Sequence, residues 1–152
     1  MTVIRDLLSY RLHVVANLLS RSAELRYRRE FGVSLWEWRT VALLGGAPGP
    51  ISLNELARAA GIDKSQMSRV VSGLAKRRVV LRAPDSSDGR SIRLVLSKAG
   101  QRLYRGLIGA AGERDAVFIN SLSEQEKRSF DRVLAKLADT ARGLIQDERR
   151  SA

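Results

Sequence analysis

The sequence predicts a mainly α-helical fold with one small β-ribbon near the middle of the chain. Long stretches without Pro carry apolar residues at helical spacing, and they flank a central region of shorter helices. Two short segments rich in β-branched residues follow the central helices, separated by turn-forming residues. With 152 residues, 44% hydrophobic and 28% charged, the chain has the size and composition of one globular domain.

The first helix is predicted over about residues 4–29, which contain no Pro or Gly. Its apolar positions are Ile4, Leu7, Leu8, Leu12, Val15, Leu18 and Leu19. This stripe is broader than a single helix at the edge of a small domain needs, so contact with a second chain is one economical explanation. The only histidine, His13, lies in this helix, where a packed or hydrogen-bonded side chain is expected in preference to a chemical role.

A second helix is predicted from Ser34, which stands three residues before Glu37 in a capping pair, to Gly45-Gly46. Trp36 and Trp38 are two residues apart, so on a helix they point in different directions. One is expected in the core and the other at a cavity or interface. Further on, Ile51 is predicted to form a short strand that pairs with the ribbon.

Two short capped helices come next. Ser52 stands three residues before Glu55, and Asp63 three before Gln66, so each first side chain can accept a hydrogen bond from an amide at the start of its helix. Gly61 lies in the short turn between them. Such a pair is typical of a helix-turn-helix, whose second helix can lie in the major groove of DNA.

The second helix of this pair has two distinct faces. Its predicted buried face follows the spacing i, i+3, i+4, i+7 with Met67, Val70, Val71 and Leu74. Its predicted DNA-contacting face carries Ser65, Gln66, Ser68, Arg69, Ser72 and Lys76. Arg and Gln have the geometry to read guanine or adenine edges, whereas Ser and Lys more often hold phosphates. A merely solvated face is the alternative interpretation.

Residues 79–82 and 91–96 are predicted as two antiparallel strands, joined by a loop over residues 83–90. Arg90 near the tip is predicted to enter a minor groove, where its charge is attracted to narrow A·T-rich stretches. Asp85 and Asp88 are predicted to brace arginines in the turn. No histidine or further carboxylate stands near them to complete a metal or catalytic site.

Two long helices are predicted at the C-terminal end. Ser97 caps one that runs from Lys98 to about Phe118, and Ser123 with Glu126 caps the last. The apolar positions of the last helix are Phe130, Val133, Leu134, Leu137, Ala141 and Leu144. With the first helix these two form either a dimerisation layer or a self-contained helical subdomain.

Charge and composition narrow the classes of function. The net charge is +11 and the isoelectric point near 11.1, which favours a polyanionic partner, either nucleic acid or an acidic membrane surface. Residues 51–96 carry nine basic and four acidic side chains, a stronger bias than residues 97–152 show, with eleven and eight. The longest aliphatic run is four residues, and the sequence does not open with a basic segment followed by an apolar one, as a signal peptide would. A cytoplasmic protein without membrane contact is therefore expected.

The same composition predicts a protein that is not an enzyme. The chain has one histidine, no cysteine and no Gly-rich phosphate loop. These leave no constellation for nucleophilic, metal or nucleotide chemistry, so no metal or other cofactor is expected. The absence of cysteine also excludes disulfides and thiolate metal sites within the chain.

Nearly the whole chain resembles the MarR family of winged-helix transcription regulators. The phrases that carry the resemblance are WRTVALL, LNELARAAGIDKSQMSRVVSGLAKR, DSSDGR and VLSKAGQRL. The family's wing motif is usually Asp-x-Arg-Asp-x-Arg; Asp85, Asp88 and Arg90 match it, but Ser87 replaces the first arginine. Arg78 stands where relatives usually have Gly after the recognition helix, which allows that helix to end differently.

The resemblance implies a winged helix-turn-helix lobe over residues 34–96, flanked by dimerisation helices over residues 1–33 and 97–152. It also implies a homodimer that binds a pseudo-palindromic operator in double-stranded DNA, typically as a repressor. A small aromatic or phenolic ligand is expected between the dimerisation helices and the DNA-binding lobe. Its candidate lining residues, for each of which core packing is the alternative, are His13, Trp36, Trp38 and Arg39.

Two other functions fit the same residues. An architectural protein that coats DNA with little sequence preference would also suit the excess positive charge. A winged helix can instead serve as a protein-interaction module, in which case the face of Ser65, Arg69 and Lys76 would contact a protein. Competition with unrelated DNA separates the first alternative from a sequence-specific regulator, and negligible DNA binding would indicate the second.

Overall fold

The predicted fold class, mainly α-helical with a small β-wing, is confirmed by a computed structural model of the chain, which describes residues 3–84 and 92–151. A short 3₁₀ turn over Ile4–Asp6 precedes the first α-helix. The elements that follow are α1 (Leu8–Phe31), α2 (Leu35–Gly46), β1 (Ile51–Ser52), α3 (Leu53–Ala60), α4 (Lys64–Lys76), β2 (Val80–Pro84), β3 (Ile92–Leu96), α5 (Lys98–Asn120) and α6 (Glu124–Ser151).

The chain divides into two compact units, residues 1–111 and 112–152. The first unit contains α1 to α4, the three strands and the beginning of α5. Its described residues enclose a hydrophobic core. The second unit contains the end of α5 and all of α6, and no described residue of α6 is fully buried.

The three strands form one antiparallel sheet in the order β1-β3-β2. Ile51 pairs with Leu94, so the predicted pairing of a short strand at Ile51 with the ribbon is confirmed. In the ribbon itself, Val80 pairs with Leu96. Leu94 and Leu96 alternate with less buried neighbours along β3, as expected for a strand with one face on the core.

The core of the first unit lies between the helices and the sheet. Its largest fully buried side chains come from α1, α3, α4 and α5 and are Tyr27, Leu56, Met67, Leu74 and Leu107. Val71 is also buried and Val70 is half-buried, so the predicted buried face of α4 is confirmed. Because this face packs on the core, the opposite face of α4 points outward.

The helix starts confirm the predicted capping pairs. Each serine hydroxyl accepts a hydrogen bond from the amide three residues later, and each glutamate carboxylate accepts one from the serine amide; the pairs are Ser34–Glu37, Ser52–Glu55 and Ser123–Glu126. The predicted start of the first helix is wrong by four residues. Leu7 has an extended backbone, with ψ 133°, which separates the 3₁₀ turn from α1.

The end of α4 is a left-handed turn made without glycine. Arg78 has a φ of 57°, the only positive value outside glycine among the described residues. Its amide donates to the Ala75 carbonyl and the Val79 amide donates to the Leu74 carbonyl, each at 2.9 Å. These two bonds form a Schellman motif, in which the left-handed position is usually glycine. The chain therefore keeps this helix ending although a side chain opposes the backbone conformation.

Arg78→Gly should raise the free energy of unfolding by about 0.5–1 kcal/mol, because glycine adopts the left-handed conformation without steric cost. Urea denaturation followed by circular dichroism measures the change. Arg102→Gly, the same substitution within α5, should lower stability by about 1 kcal/mol. A loss of stability in both variants would contradict the strain assigned to Arg78.

Candidate nucleic-acid interface

The outward face of α4 carries the side chains predicted to contact DNA. Ser65, Arg69 and Lys76 are exposed, and Gln66, Ser68 and Ser72 are half-buried at its edges. The positions 65, 69, 72 and 76 follow helical spacing, so they form one stripe along the helix. This stripe offers hydroxyl groups and cations to a partner and no bulky apolar side chain.

The turn between α3 and α4 sets how the second helix is presented. Gly61 has a φ of 70°, and the Ile62 amide donates to the Ala57 carbonyl at 3.1 Å. The Asp63 carboxylate then accepts the Gln66 amide at 2.8 Å and starts α4. On the core side, the buried Thr40 hydroxyl donates to the Met67 sulfur at 3.5 Å. The start of α4 is therefore held from both the turn and the core.

Ser72 is not simply a side chain offered to DNA. The Arg82 guanidinium on β2 donates to the Ser72 hydroxyl at 3.3 Å, which connects α4 to the ribbon. No local spacing in the sequence predicts this contact of Arg82, which is ten residues from Ser72. Because an exposed hydrogen bond of this length is weak, an approaching phosphate can compete for the same two groups.

Two ion pairs join other elements of the lobe. The Arg93 guanidinium on β3 lies 3.0 Å from the Glu55 carboxylate of α3, and that of Arg77 lies 3.0 Å from the Glu37 carboxylate of α2. Glu55 and Glu37 are also the glutamates of two of the three capping pairs. Each capping glutamate therefore both completes its own helix start and binds a distant arginine.

Hydrogen bonding lowers the pKa of Glu55 below its ordinary value. The backbone amide of Ser52 makes the largest contribution, followed by the Ser52 hydroxyl, and the positive charges of Arg93 and Arg58 add to it. Desolvation raises the pKa; its effect is smaller than that of either Ser52 hydrogen bond and larger than that of either arginine. The ionised form of Glu55 is thus favoured in the folded protein over the unfolded chain.

Because its pKa is lowered on folding, ionised Glu55 stabilises the native state above the unfolded pKa, and this contribution is lost as the pH falls through the folded pKa. Glu55→Gln should therefore lower the free energy of unfolding at pH 7. The deficit relative to the parent protein should shrink as the pH is lowered below about 4.5, measured by urea denaturation at several pH values. An equal deficit at pH 7 and pH 3.5 would contradict this assignment.

The cationic side chains of α4 differ from those of Arg77 and Arg93 in their ion pairing. Within residues 3–84 and 92–151, Lys64, Arg69 and Lys76 form no ion pair. In that part of the chain none of the three charges is paired with a carboxylate, and all three side chains are exposed. This arrangement attracts a polyanion.

Three predicted wing residues lie outside the described residues: Asp85, Asp88 and Arg90. The last pairing described before the loop joins Pro84 to Ile92. The roles of these three residues in bracing the turn and entering a minor groove stay predictions.

The four candidate ligand-contacting residues lie in different surroundings. His13 is exposed, and its Nε2 atom lies 2.8 Å from the Asn17 side-chain amide. The Arg39 guanidinium lies 4.9 Å from the centre of the Trp36 ring, whereas Trp38 packs against the core. Trp38 and Arg39 line a pocket of about 270 Å³ together with Ala42, Leu43, Ala59 and Ala60. His13 and Trp36 are not among its described lining residues.

Among the described residues, no group of three or more His, Asp or Glu side chains is placed to hold a metal ion. None of the helices in the same part of the chain combines the length and apolarity needed to cross a bilayer.

A model of the MarR family matches residues 31–91, from the end of α1 to the residue before β3. The HTH-type transcriptional repressor Rv2887 of Mycobacterium tuberculosis (strain ATCC 25618 / H37Rv) is 31% identical over 106 residues, which cover 70% of this chain and 76% of that protein. The chain belongs to the MarR family. The predicted resemblance is confirmed, and the relatives that match this MarR-family chain include proteins named as transcriptional repressors.

Solved structures agree with this MarR-family fold. A MarR/EmrR family transcriptional regulator from Acinetobacter sp. ADP1 is 27% identical with a TM-score of 0.80, over 89% of this chain and 94% of that one. MepR of S. aureus in complex with DNA has a TM-score of 0.81 at 18% identity, over 88% of this chain and 98% of that one. Because the identity to MepR is low, that comparison shows a shared fold only.

The sequence phrases that carried the MarR-family resemblance lie on the elements that build the lobe. WRTVALL lies on α2, and LNELARAAGIDKSQMSRVVSGLAKR covers α3, α4 and the turn between them. VLSKAGQRL runs from the end of β3 into α5. The outward face of α4 therefore lies within one of the phrases that carried the resemblance.

Proposed function

We propose that this MarR-family chain is a homodimeric, sequence-specific DNA-binding repressor that a small aromatic ligand releases from its operator. The observation that carries the proposal is the outward face of α4, on which Arg69 and Lys76 have no ion pair among the described residues. A helix with one face in the core and a cationic, hydrogen-bonding face outside is suited to the major groove.

Each predicted DNA-binding residue has a proposed role. Arg69 and Gln66 read base edges, since their side chains have the donor and acceptor geometry for guanine and adenine. Phosphates are held by Ser65, Ser68 and Lys76, and by Ser72 together with Arg82. At the ribbon tip, Arg90 enters the minor groove, and Asp85 and Asp88 brace the turn.

Exposed apolar side chains support a second copy of the chain as partner. In the first unit, α1 exposes Leu8, Leu12, Val14, Val15, Leu18, Leu19 and Leu25. In the second unit, α6 exposes Phe130, Val133, Leu134, Leu144 and Ile145. Exposed apolar side chains in this number on one helix are typical of an interface. We therefore assign residues 1–33 and 97–152 to dimerisation and residues 34–96 to DNA binding.

The pocket beside Trp38 supports ligand control. An indole ring, small apolar side chains and Arg39 line it. Arg39 also donates to the Ser20 hydroxyl of α1 at 3.2 Å. An aromatic anion would stack on the ring and compete for that guanidinium, so its binding would disturb the contact between α1 and α2.

Low-specificity, architectural DNA binding is the second candidate function. The observation that favours it is the net charge of +11, which exceeds what a few groove contacts require. The charge alone does not distinguish the two functions, because both use cations against phosphates. The presence of a preferred sequence does.

Selection of bound duplexes from a random pool tests the proposal. We expect one pseudo-palindromic sequence to be enriched. Salicylate or benzoate at about 5 mM, a concentration suited to weak small-molecule binding, should release the DNA, whereas the uncharged benzyl alcohol should not. Retention of DNA without enrichment of any sequence would indicate an architectural protein. Failure to retain DNA would indicate a protein-interaction module, and insensitivity to both anions would remove the ligand from the proposal.

A further inference from the structure

Gly73 lies inside α4, at a position where glycine destabilises a helix. The helix runs from Lys64 to Lys76, and the Gly73 carbonyl accepts the Arg77 amide at 3.2 Å, so helical hydrogen bonding continues through this residue. Relative to alanine, a glycine in a helix interior lowers the folding equilibrium constant by about two- to fivefold, because glycine loses more backbone freedom on folding. Gly73 therefore lowers the stability of the helix that carries the proposed DNA-contacting face.

Neither the backbone nor the packing of the described residues requires glycine at this position. Gly32 and Gly61 have positive φ values, whereas Gly73 does not. A Cβ atom at Gly45 would lie 2.5 Å from the ring of Tyr104, closer than real side chains approach, whereas one at Gly73 would meet no atom within 4 Å. A partner that approaches the backbone of α4 closely would account for the glycine.

Cationic side chains surround Gly73 on the surface of α4. Helical spacing places Arg69 one turn before it, and Lys76 and Arg77 one turn after it. All three side chains are exposed, and in the described ranges only Arg77 is paired with a carboxylate, that of Glu37. Because the Cβ position of Gly73 is open, the helix surface has a gap between these cations. A partner that enters the gap meets positive charge on both sides, which favours a polyanionic strand.

The width of the major groove of DNA gives a reason for such a gap. The groove is about 12 Å wide, and a helix with its side chains measures about 10–12 Å across, so a helix fills the groove almost completely. Gly73 lies beside the outward stripe of α4, in line with Gln66 seven residues earlier. When the stripe faces the base edges, the flanks of the helix face the sugar-phosphate strands that form the groove walls.

We propose that Gly73 is the point at which one sugar-phosphate strand of the DNA lies against the backbone of α4. The missing side chain lets the strand approach, and the Lys76 ammonium one turn later pairs with a phosphate of that strand. This contact sets how deeply α4 enters the groove, and therefore whether Arg69 reaches the base edges. The inference rests on the proposed DNA binding and adds a positioning residue to it.

The test compares Gly73→Ala and Gly73→Leu with the parent protein on the selected operator, by fluorescence anisotropy at one salt concentration. Alanine should weaken operator binding about tenfold, and leucine by a larger factor, because the longer side chain holds the strand further from the helix. In urea denaturation, Gly73→Ala should lower the equilibrium constant of unfolding by about two- to fivefold. Binding and stability then change in opposite directions, which a variant that simply unfolds cannot reproduce.

The two substitutions separate close approach from helix rigidity. Alanine and leucine have similar helix propensities, so a glycine that served to bend α4 would give equal losses of binding in both variants. The matched control is Gly109→Ala, which adds the same methyl group to an exposed glycine of α5 whose Cβ position is also open. It should give a similar gain in stability and leave the operator affinity unchanged. Sedimentation should give the same mass for the parent and every variant.

The inference is overturned if Gly73→Ala binds the operator as tightly as the parent, if alanine and leucine cause equal losses, or if Gly109→Ala loses as much affinity. A loss of stability in Gly73→Ala would also overturn it, because the fold itself would then require the glycine. These results leave the proposed function intact whenever the parent protein selects an operator. If the parent retains DNA without preference, the proposed function fails and the same comparison on an unselected duplex still tests Gly73. A parent that retains no duplex refutes both.

Discussion

Replacing Gly100 by alanine should lower the free energy of unfolding by about 3 kcal/mol, at the upper end of the usual cost of overpacking. A Cβ atom at this position would overlap the Val79 carbonyl oxygen, and it would also lie 3.2 Å from the Leu96 side chain. The oxygen cannot easily move away, because it accepts a hydrogen bond from the Ser97 amide at 3.0 Å. Relief requires α5 to shift from the end of α4.

Urea denaturation followed by circular dichroism measures this loss, and Gly109→Ala is its matched control. Gly109 lies in the same helix, and an added Cβ meets nothing within 4 Å. Alanine there should raise stability by about 0.5–1 kcal/mol through its higher helix propensity. Equal midpoints for the two variants would show that α5 does not start in close contact with Val79.

The same contact connects α5 to the end of α4. The Ser97 hydroxyl donates to the Arg78 carbonyl at 2.6 Å and accepts the Gly100 amide at 3.0 Å. Arg78 and Val79 are the last two residues of the Schellman motif that ends α4. A variant that displaces α5 at Gly100 should therefore also disturb α4 and weaken DNA binding.

Arg69→Ala should weaken binding to the selected operator by about 1–3 kcal/mol, which is roughly 5- to 150-fold, and should relax the preference at one base position. Arg69 is exposed at the centre of the outward stripe of α4, so its truncation should not affect folding. Fluorescence anisotropy with the operator and with a scrambled duplex, at one fixed salt concentration, measures both affinities. Arg102→Ala removes the same charge from α5 and should change neither affinity by more than a small factor.

The pattern of losses distinguishes the roles of Arg69. A loss confined to the operator identifies base reading, whereas equal losses on both duplexes identify a phosphate contact. If neither affinity changes, α4 does not contact DNA through its outward face, and the proposed function loses its principal support.

The sequence by itself determined the features that depend on near neighbours. The serine and glutamate of each capping pair are three residues apart, so Ser52–Glu55 and Ser123–Glu126 were predictable from spacing and were confirmed. Helical periodicity likewise predicted which face of α4 is buried. Both depend on local geometry that is nearly the same in every helix.

Only the tertiary structure decided which distant residues meet. Arg93 and Glu55 are 38 residues apart, and Tyr104 and Gly45 are 59 apart, so neither contact leaves a signal in local spacing. Arg78 adopts a backbone conformation that its residue type disfavours, because the contacts of α4 with β2 and α5 impose it. Such features depend on the path of the whole backbone, which places groups within reach that the sequence keeps far apart.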